Sequence, residues 1–335
     1  MARILITGGA GFVGSHLVAA CVAAGHEVHA VVRPASDDRR LKAVAGRIVQ
    51  HRIDLRETLA VRHCVAAVCP ELIYHLAARP RRPEAPDLGD ARASIEEDLG
   101  CLVALIAAAA GASPPPRRFV RAGSLAEYGT APAPYREDRR EAPLGVYGAG
   151  LVAATHLCAA LQRRVPFQLV TARLALIYGP AQSTDYLLPL LIRRCLEGEE
   201  TFVHHPLDRR DLIHIDDVVE ALLRLGAAPL PGGSLLVNIA SGAAPTMRAL
   251  ATLIIAETGA VPDLIRFGDG QASSGAADLR GSTARARRIL GWRARIPLPA
   301  GIARTVDWYR DQRIRIVPRA GQPEPARPHA SEISP

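Results

Sequence analysis

The 335-residue sequence predicts an α/β protein, a doubly wound parallel sheet with a smaller C-terminal α/β lobe. Three observations predict it. Short apolar strands alternate with helical segments over the first half of the chain. A glycine triplet stands between the first strand and the first helix, and the rhythm of elements changes after residue 180. Strands spaced by whole helices pair in parallel, because the helices then cover both faces of the sheet.

The elements follow in order. Residues 3–6 form an apolar strand, and residues 12–24 carry helical spacing. Strands are expected at 27–32, 47–51 and 72–76, with a helix at 59–68. Residues 91–110 read as one long alanine-rich helix, and 118–121 lead into the next strand. A helix at 147–161 and a strand at 167–174 complete this half. After Tyr178-Gly179-Pro180, helices at 187–196, 215–225, 247–257 and 302–310 are separated by short strands and Pro/Gly turns. The expected division is a first domain over 1–180 that receives later segments back, a lobe over 181–312, and a disordered Pro/Arg-rich tail over 313–335.

Composition narrows the function classes. Apolar residues make up 49% and charged residues 22%, as in a soluble globular protein. The apolar run at 102–110 is too short to span a bilayer, and the N-terminus enters a strand with no cleavable signal pattern. A cytoplasmic protein with no membrane partner is expected. The six cysteines are scattered with no CxxC pair, so buried free thiols are expected, with no metal site and no disulfide. The formal charge is +8, yet Lys42 is the only lysine beside forty arginines spread along the chain. That pattern reads as an arginine-rich composition, with no nucleic-acid partner expected.

The first strand runs into Thr7-Gly8-Gly9-Ala10-Gly11-Phe12-Val13-Gly14. A sharp turn that brings backbone N–H groups and a helix N-terminus up to a pyrophosphate needs residues without a Cβ. In this context Gly8 and Gly11, followed by Phe12 and Val13, are the expected dinucleotide-binding loop. The second strand ends in Arg33 with no acidic residue, and Arg33, with Arg39 or Arg40 after Ser36-Asp37, favours NADP(H) and leaves NAD(H) as the alternative. The other reading of Arg33 is a solvated loop arginine. Asp54 and Leu55 follow the third strand, where a carboxylate meets an adenine amine. Leu76, Ala77 and Ala78 end the fourth, where small residues let a cofactor lie against the backbone.

Eight segments then match, in order, the extended short-chain dehydrogenases of the NAD-dependent epimerase/dehydratase type. They are TGGAGFVG at 7–14, HLAA at 75–78, RAGSLAEYG at 121–129, YGAG at 147–150, RLALIYGP at 173–180, RRDLIHIDD at 209–217, VNIASG at 237–242 and ILGW at 289–292. The chain resembles this family from residue 2 to about 312. The resemblance implies a Rossmann domain holding NAD(P), a lobe closing over a nucleotide-diphosphate sugar, and a homodimer through a helix pair. It implies Tyr147 as the proton-exchanging group, Ser124 as the hydrogen-bond partner of the sugar oxygen, and Tyr178 and Arg210 at the substrate. Glu127 is a further acid/base candidate by position, with a structural role as the other reading. For Arg210 the other reading is a salt bridge to Asp211 or Asp216.

The chain also departs from the pattern. An unperturbed tyrosine has a pKa near 10, too high for neutral pH, and the family's lysine four residues on lowers it. That position is Leu151 here, and Lys42 lies too early in the chain to replace it. Leu176, Ser274 and Glu97 stand where the family carries asparagine, arginine and asparagine respectively. The expected function is hydride transfer at a sugar carbinol or ketone, as an epimerase, dehydratase or 4-ketoreductase. An NADPH-dependent ketoreductase of a non-sugar metabolite and a non-catalytic NAD(P)-binding protein are the alternatives.

Overall fold

The computed structural model describes residues 1–79, 84–270 and 277–316. The strands run β1 (Arg3–Thr7), β2 (Glu27–Val32), β3 (Ile48–Arg52), β4 (Leu72–His75), β5 (Arg118–Ser124) and β6 (Gln168–Leu174). Four short strands follow: β7 (Leu176–Tyr178), β8 (Thr201–Val203), β9 (Arg209–Arg210) and β10 (Leu212–His214). A late strand, β11 (Leu235–Ile239), returns to the main sheet, and β12 (Ile265–Phe267) and β13 (Asp278–Leu279) pair with β8 and β9.

The main sheet has the order β11-β6-β5-β4-β1-β2-β3, and every pair in it is parallel. The chain builds outward from β1 in one direction and from β4 in the other. The crevice between those two strand ends is where a doubly wound sheet receives its ligand.

Strand periodicity places side chains on opposite faces. Ile4 and Ile6 join one core and Leu5 the other; Leu72 and Tyr74 are likewise divided from Ile73. Burial on both faces is why the strands read as continuous apolar runs. Helices α1 (Phe12–Ala23) and, much later, Ile215–Ala227 supply the first core. On the other face lie α2 (Thr58–Val68), α4 (Gly100–Ala110) and α5 (Gly145–Leu161), with the short α3 (Gly89–Ala93) preceding α4. A third core lies in the lobe, between α6 (Leu187–Glu197), α8 (Met247–Thr258) and α10 (Leu298–Ile316). The Ile215–Ala227 helix is α7, and α9 spans Ala284–Leu290.

Three elements differ from expectation. The long helix over 91–110 is interrupted, because a π-helical segment, Ser94–Leu99, separates α3 from α4. A nearly uniform alanine pattern carries no sign of such a change in winding. Helix α9 was not expected, since it buries only Ala286 and Leu290 among three arginines. Helix α10 starts before residue 302 and continues through 316, so residues 313–316 of the expected tail are helical. Residues 317–335 lie outside the described residues. All six cysteines are free and five are buried. Among the described residues no helix is long and apolar enough to cross a membrane.

Candidate functional site

The crevice is built backbone on backbone. Gly8 has φ +72°, and a Cβ on it would stand 2.8 Å from the Ala77 nitrogen and the Leu76 carbonyl carbon. A Cβ on Gly14 would stand 2.1 Å from the Gly8 carbonyl oxygen. The loop therefore presses on the end of β4 from one side and on α1 from the other. Thr7 Oγ1 and His75 Nδ1, 2.8 Å apart, tie the ends of β1 and β4 together. Burial pushes the His75 pKa down to about 3, with Arg121 adding to the effect, so this histidine is neutral.

A cleft of about 460 Å³ opens here. Gly8, Gly11, Arg33, Asp54, Leu55, Leu76, Ala77 and Ala78 line it. The side chains of Phe12 and Val13 instead pack against the core beneath α1. Their backbone N–H groups lie in the first turn of α1, where donors have no partner within a helix.

Further charged residues also line the cleft. Arg56 Nη2 lies 2.5 Å from Asp54 Oδ2, and its hydrogen bonds hold the Asp54 pKa at about 2. Glu97, on the π-helical segment, stands 3.8 Å from Arg56 and 3.5 Å from Arg79. Arg40 donates through Nε and Nη2 to the Ala181 carbonyl at 3.0 and 2.9 Å. The Arg33 side chain makes no hydrogen bond or ion pair among the described residues, and interacts with Asp54 only at longer range. A spacing rule could have found Arg56, two residues beyond Asp54; of the two arginines named beside Arg33 from the sequence, Arg40 lines the cleft and Arg39 does not.

One strand along from β4, Ser124 closes β5. Its Oγ accepts from Ala126 N at 3.1 Å, and Glu127 Oε1 accepts from Ser124 N at 3.1 Å. This reciprocal cap starts a short 3₁₀ turn, Leu125–Tyr128. Tyr147 sits in the first turn of α5, 36% exposed as a residue, with its hydroxyl beside Ser124. Burial pushes its pKa up to about 12, and the charges of Tyr186 and Glu127 act in the same direction. A hydrogen bond with Ser124 and the charge of Arg121 oppose the rise. Glycines bring α5 this close: a Cβ on Gly148 would lie 3.0 Å from the Ala126 carbonyl oxygen, and one on Gly150 2.4 Å from Ser94 Oγ.

Two sequence assignments are corrected. Glu127 is fully buried, and accepts from Ser124 N, from Thr155 Oγ1 at 2.7 Å and from Arg173 Nε at 2.8 Å. The 3₁₀ turn swings it under β5, where Gly123 leaves room for its carboxylate. This placement favours the structural reading of Glu127 over the acid/base one. Tyr178 is 1% exposed, packed edge-on against His214 with ring centres 5.4 Å apart. A Cβ on Gly301 would come within 2.1 Å of its hydroxyl oxygen. Tyr178 therefore belongs to the lobe core and does not face a substrate.

Arg210 carries the ion pair weighed against its clamp role, but its partner is Asp208, at 2.6 Å, and neither Asp211 nor Asp216. Leu151 lies one turn beyond Tyr147 on α5, and Leu176 is 46% exposed at the start of β7. Ser274 lies outside the described residues. Among the described residues no group of three or more His, Cys, Asp or Glu is placed to hold a metal ion.

Comparison with known proteins agrees with this architecture. A UDP-glucose 4-epimerase of Mycolicibacterium smegmatis is 31% identical, over 92% of this chain and 99% of its own length. A dTDP-glucose 4,6-dehydratase of Streptomyces niveus is 28% identical, over 93% and 94%. The structure of MoeE5 in complex with UDP-glucuronic acid and NAD is 29% identical, with a TM-score of 0.80 over 92% of this chain and 99% of that one. The sequence pattern of the NAD dependent epimerase/dehydratase family matches residues 4–240, and the chain belongs to that family.

Proposed function

We propose that the chain holds a nicotinamide dinucleotide in the β1–β4 crevice and transfers hydride at a carbinol or ketone carbon of a nucleotide-diphosphate sugar. The outcome is epimerisation, dehydration or 4-ketoreduction. One observation carries the reading: the glycine cradle at the ends of β1 and β4 and Ser124 at the end of the neighbouring β5 stand at the same end of the sheet, with Tyr147 of α5 beside Ser124. The relatives named above handle nucleotide sugars, which ranks this reading over a non-sugar ketoreductase or a non-catalytic binding protein. The same reading makes the enzyme a cytoplasmic homodimer with a substrate lobe over 181–312.

The residues fit the cofactor. Gly8 and Gly11 leave the first-turn N–H groups of α1 open to a pyrophosphate, Leu76, Ala77 and Ala78 offer a flat wall, and Asp54 and Leu55 face the adenine. Bound there, the nicotinamide supplies the hydride acceptor and donor. Ser124 hydrogen-bonds the reacting sugar oxygen, and Tyr147 takes or returns its proton. Arg210, shared with Asp208, holds the diphosphate. With its pKa near 12 the Tyr147 phenol rests protonated at neutral pH, ready to donate to a ketone. Alcohol oxidation needs the tyrosinate, so oxidative turnover rises toward alkaline pH.

The test is incubation of the purified chain with UDP-glucose, dTDP-glucose and UDP-glucuronic acid, with NAD⁺ or NADP⁺. Conversion of at least one to a 4-epimer or 4-keto sugar is expected. Inertness toward all three, with turnover of a simple ketone under NADPH, would overturn the nucleotide-sugar reading.

Arg33 carries the preference for NADP(H), since it stands at the end of β2 without a direct ion-pair partner among the described residues. One charge-assisted contact to a 2′-phosphate contributes about 1.5–3 kcal/mol, roughly tenfold or more in affinity. MoeE5 was seen with NAD, so the preference rests on this arginine alone. Calorimetry should show tighter binding of NADP⁺ than NAD⁺, reversed in Arg33→Asp. Equal affinities in the wild-type protein would assign NAD(H).

A further inference from the structure

The chain passes from the sheet domain into the lobe through residues 179–186, and side chains hold that passage at two successive peptide groups. Ala181 has φ +65°, a left-handed conformation that a residue with a Cβ keeps only where its surroundings hold it. Arg40 donates to the Ala181 carbonyl through both Nε and Nη2, at 3.0 and 2.9 Å. The Tyr309 hydroxyl of α10 donates to the next carbonyl, that of Gln182, at 2.5 Å. One tie comes from the last helix of the lobe, and the other comes from the sheet domain.

The tie from the sheet domain belongs to the cofactor cleft. Arg40 ends the 33–40 segment that follows β2, and Arg33, Ala35, Ser36, Asp37 and Arg40 of this segment line the cleft. Arg52, at the end of β3, fastens the segment to the sheet by donating to the Pro34 carbonyl at 3.2 Å and to Asp38 Oδ2 at 2.6 Å. Leu41, directly after it, is buried in the core. Arg39 turns back onto Asp37, at 2.5 Å, whereas Arg40 reaches across to Ala181. Arg40 and Asp37 also line a second cavity, of about 860 Å³, whose other walls are residues 181–184, α6 and α10. Arg40 therefore stands between the cleft and the lobe.

We propose that Arg40 is a positioning residue that couples the two sites. A dinucleotide resting on the 33–40 segment steadies Arg40, which steadies the Ala181 passage and so the lobe that receives the sugar. The proposal rests on the reading of the β1–β4 crevice as the dinucleotide site and of the lobe as the sugar site. Arg40 touches no sugar in this account, and it acts whether or not the cofactor carries a 2′-phosphate. Coupling is reciprocal, so the sugar tightens the dinucleotide by the same factor. The tie is exposed to water, where a hydrogen bond contributes modestly, so the expected effect is severalfold.

The test is hydrogen–deuterium exchange of the backbone amides in residues 180–190, with the protein free and then saturated with NAD⁺ or NADP⁺. In the wild type the dinucleotide is expected to slow exchange here about fivefold, the lower end of ordinary coupling between sites. In Arg40→Ala the slowing should shrink toward none, with Tm unchanged because the side chain is exposed. Tyr309→Phe is the control, since it cuts the tie from α10 and leaves Arg40 in place. Exchange should then rise in both states while their ratio persists. A wild-type protein without the slowing, or an R40A protein that retains it, would overturn the proposal. Loss of the slowing in Y309F would do the same, because any loosening of the passage would then suffice. If R40A does not fold, Arg40→Lys, with one donor group in place of the fork, decides: a reduced slowing supports the proposal and a full one overturns it. Exchange is read without sugar. A chain that shows the Arg40-dependent slowing but converts no nucleotide sugar keeps the coupling and loses the sugar reading, whereas one that binds neither dinucleotide loses both.

Discussion

Tyr147→Phe is expected to lose about 10²- to 10⁴-fold in turnover, the usual contribution of a positioned acid/base group. The fold should barely change. The ring keeps its place at the start of α5, partly exposed, and only the hydroxyl goes. Cofactor affinity should also hold, because the pyrophosphate cradle lies at the ends of β1 and β4. Ser124→Ala should give a different signature. It removes a hydrogen bond to the reacting oxygen and also the cap on Ala126 N, so turnover and stability fall together, the latter by about 1 kcal/mol. The measurement is kcat on whichever nucleotide sugar is converted, with thermal melts alongside. Undiminished turnover in Tyr147→Phe would mean that the proton is exchanged by water or by the substrate itself.

How much of this was legible in the sequence depends on what decides each feature. The parallel sheet was legible because strands buried on both faces must be apolar throughout, as Leu5, Ile73 and Phe119 on one face and Ile4, Tyr74 and Val120 on the other show. The cleft positions were legible because a residue at the C-terminal end of a strand is placed by topology alone. Side-chain direction beyond the strand ends was not. Tyr178 turns inward because Gly301, over a hundred residues later, leaves space for its ring, and Glu127 turns under β5 because Gly123 does the same. Nor does a motif state its own purpose. Asp211, inside RRDLIHIDD, accepts from Ser241 N, Ser241 Oγ, Gly242 N and Gly281 N, so this segment and VNIASG are partly architecture. Asp217 does the same for the backbone of Arg295 and Ile296.

Glu127→Gln is expected to destabilise the fold strongly, by about 3–5 kcal/mol, as when one partner of a buried ion pair is removed. Typical domains hold only about 5–15 kcal/mol in total, so the loss is severe. The Glu127 carboxylate answers Arg173, whose side chain is fully buried, 2.8 Å away, and is linked through Thr155 to Arg121. A neutral amide would leave two buried guanidinium groups facing one remaining direct counter-ion, Glu141, which pairs with Arg173. The stacking of Arg173 over the Tyr128 ring, 4.4 Å from its centre, offsets only part of that. Burial tends to raise the Glu141 pKa, but its hydrogen bonds, led by that from Arg173, hold it below the ordinary glutamate value. Its share of stability is thus present above about pH 4.5 and lost as the pH falls below it. A catalytic Glu127 predicts the opposite pattern, a Gln variant that folds normally and fails only in turnover. Urea unfolding at neutral pH separates the two. A wild-type midpoint in Glu127→Gln, with turnover abolished, would return this residue to the chemistry and leave Arg173 without its structural purpose.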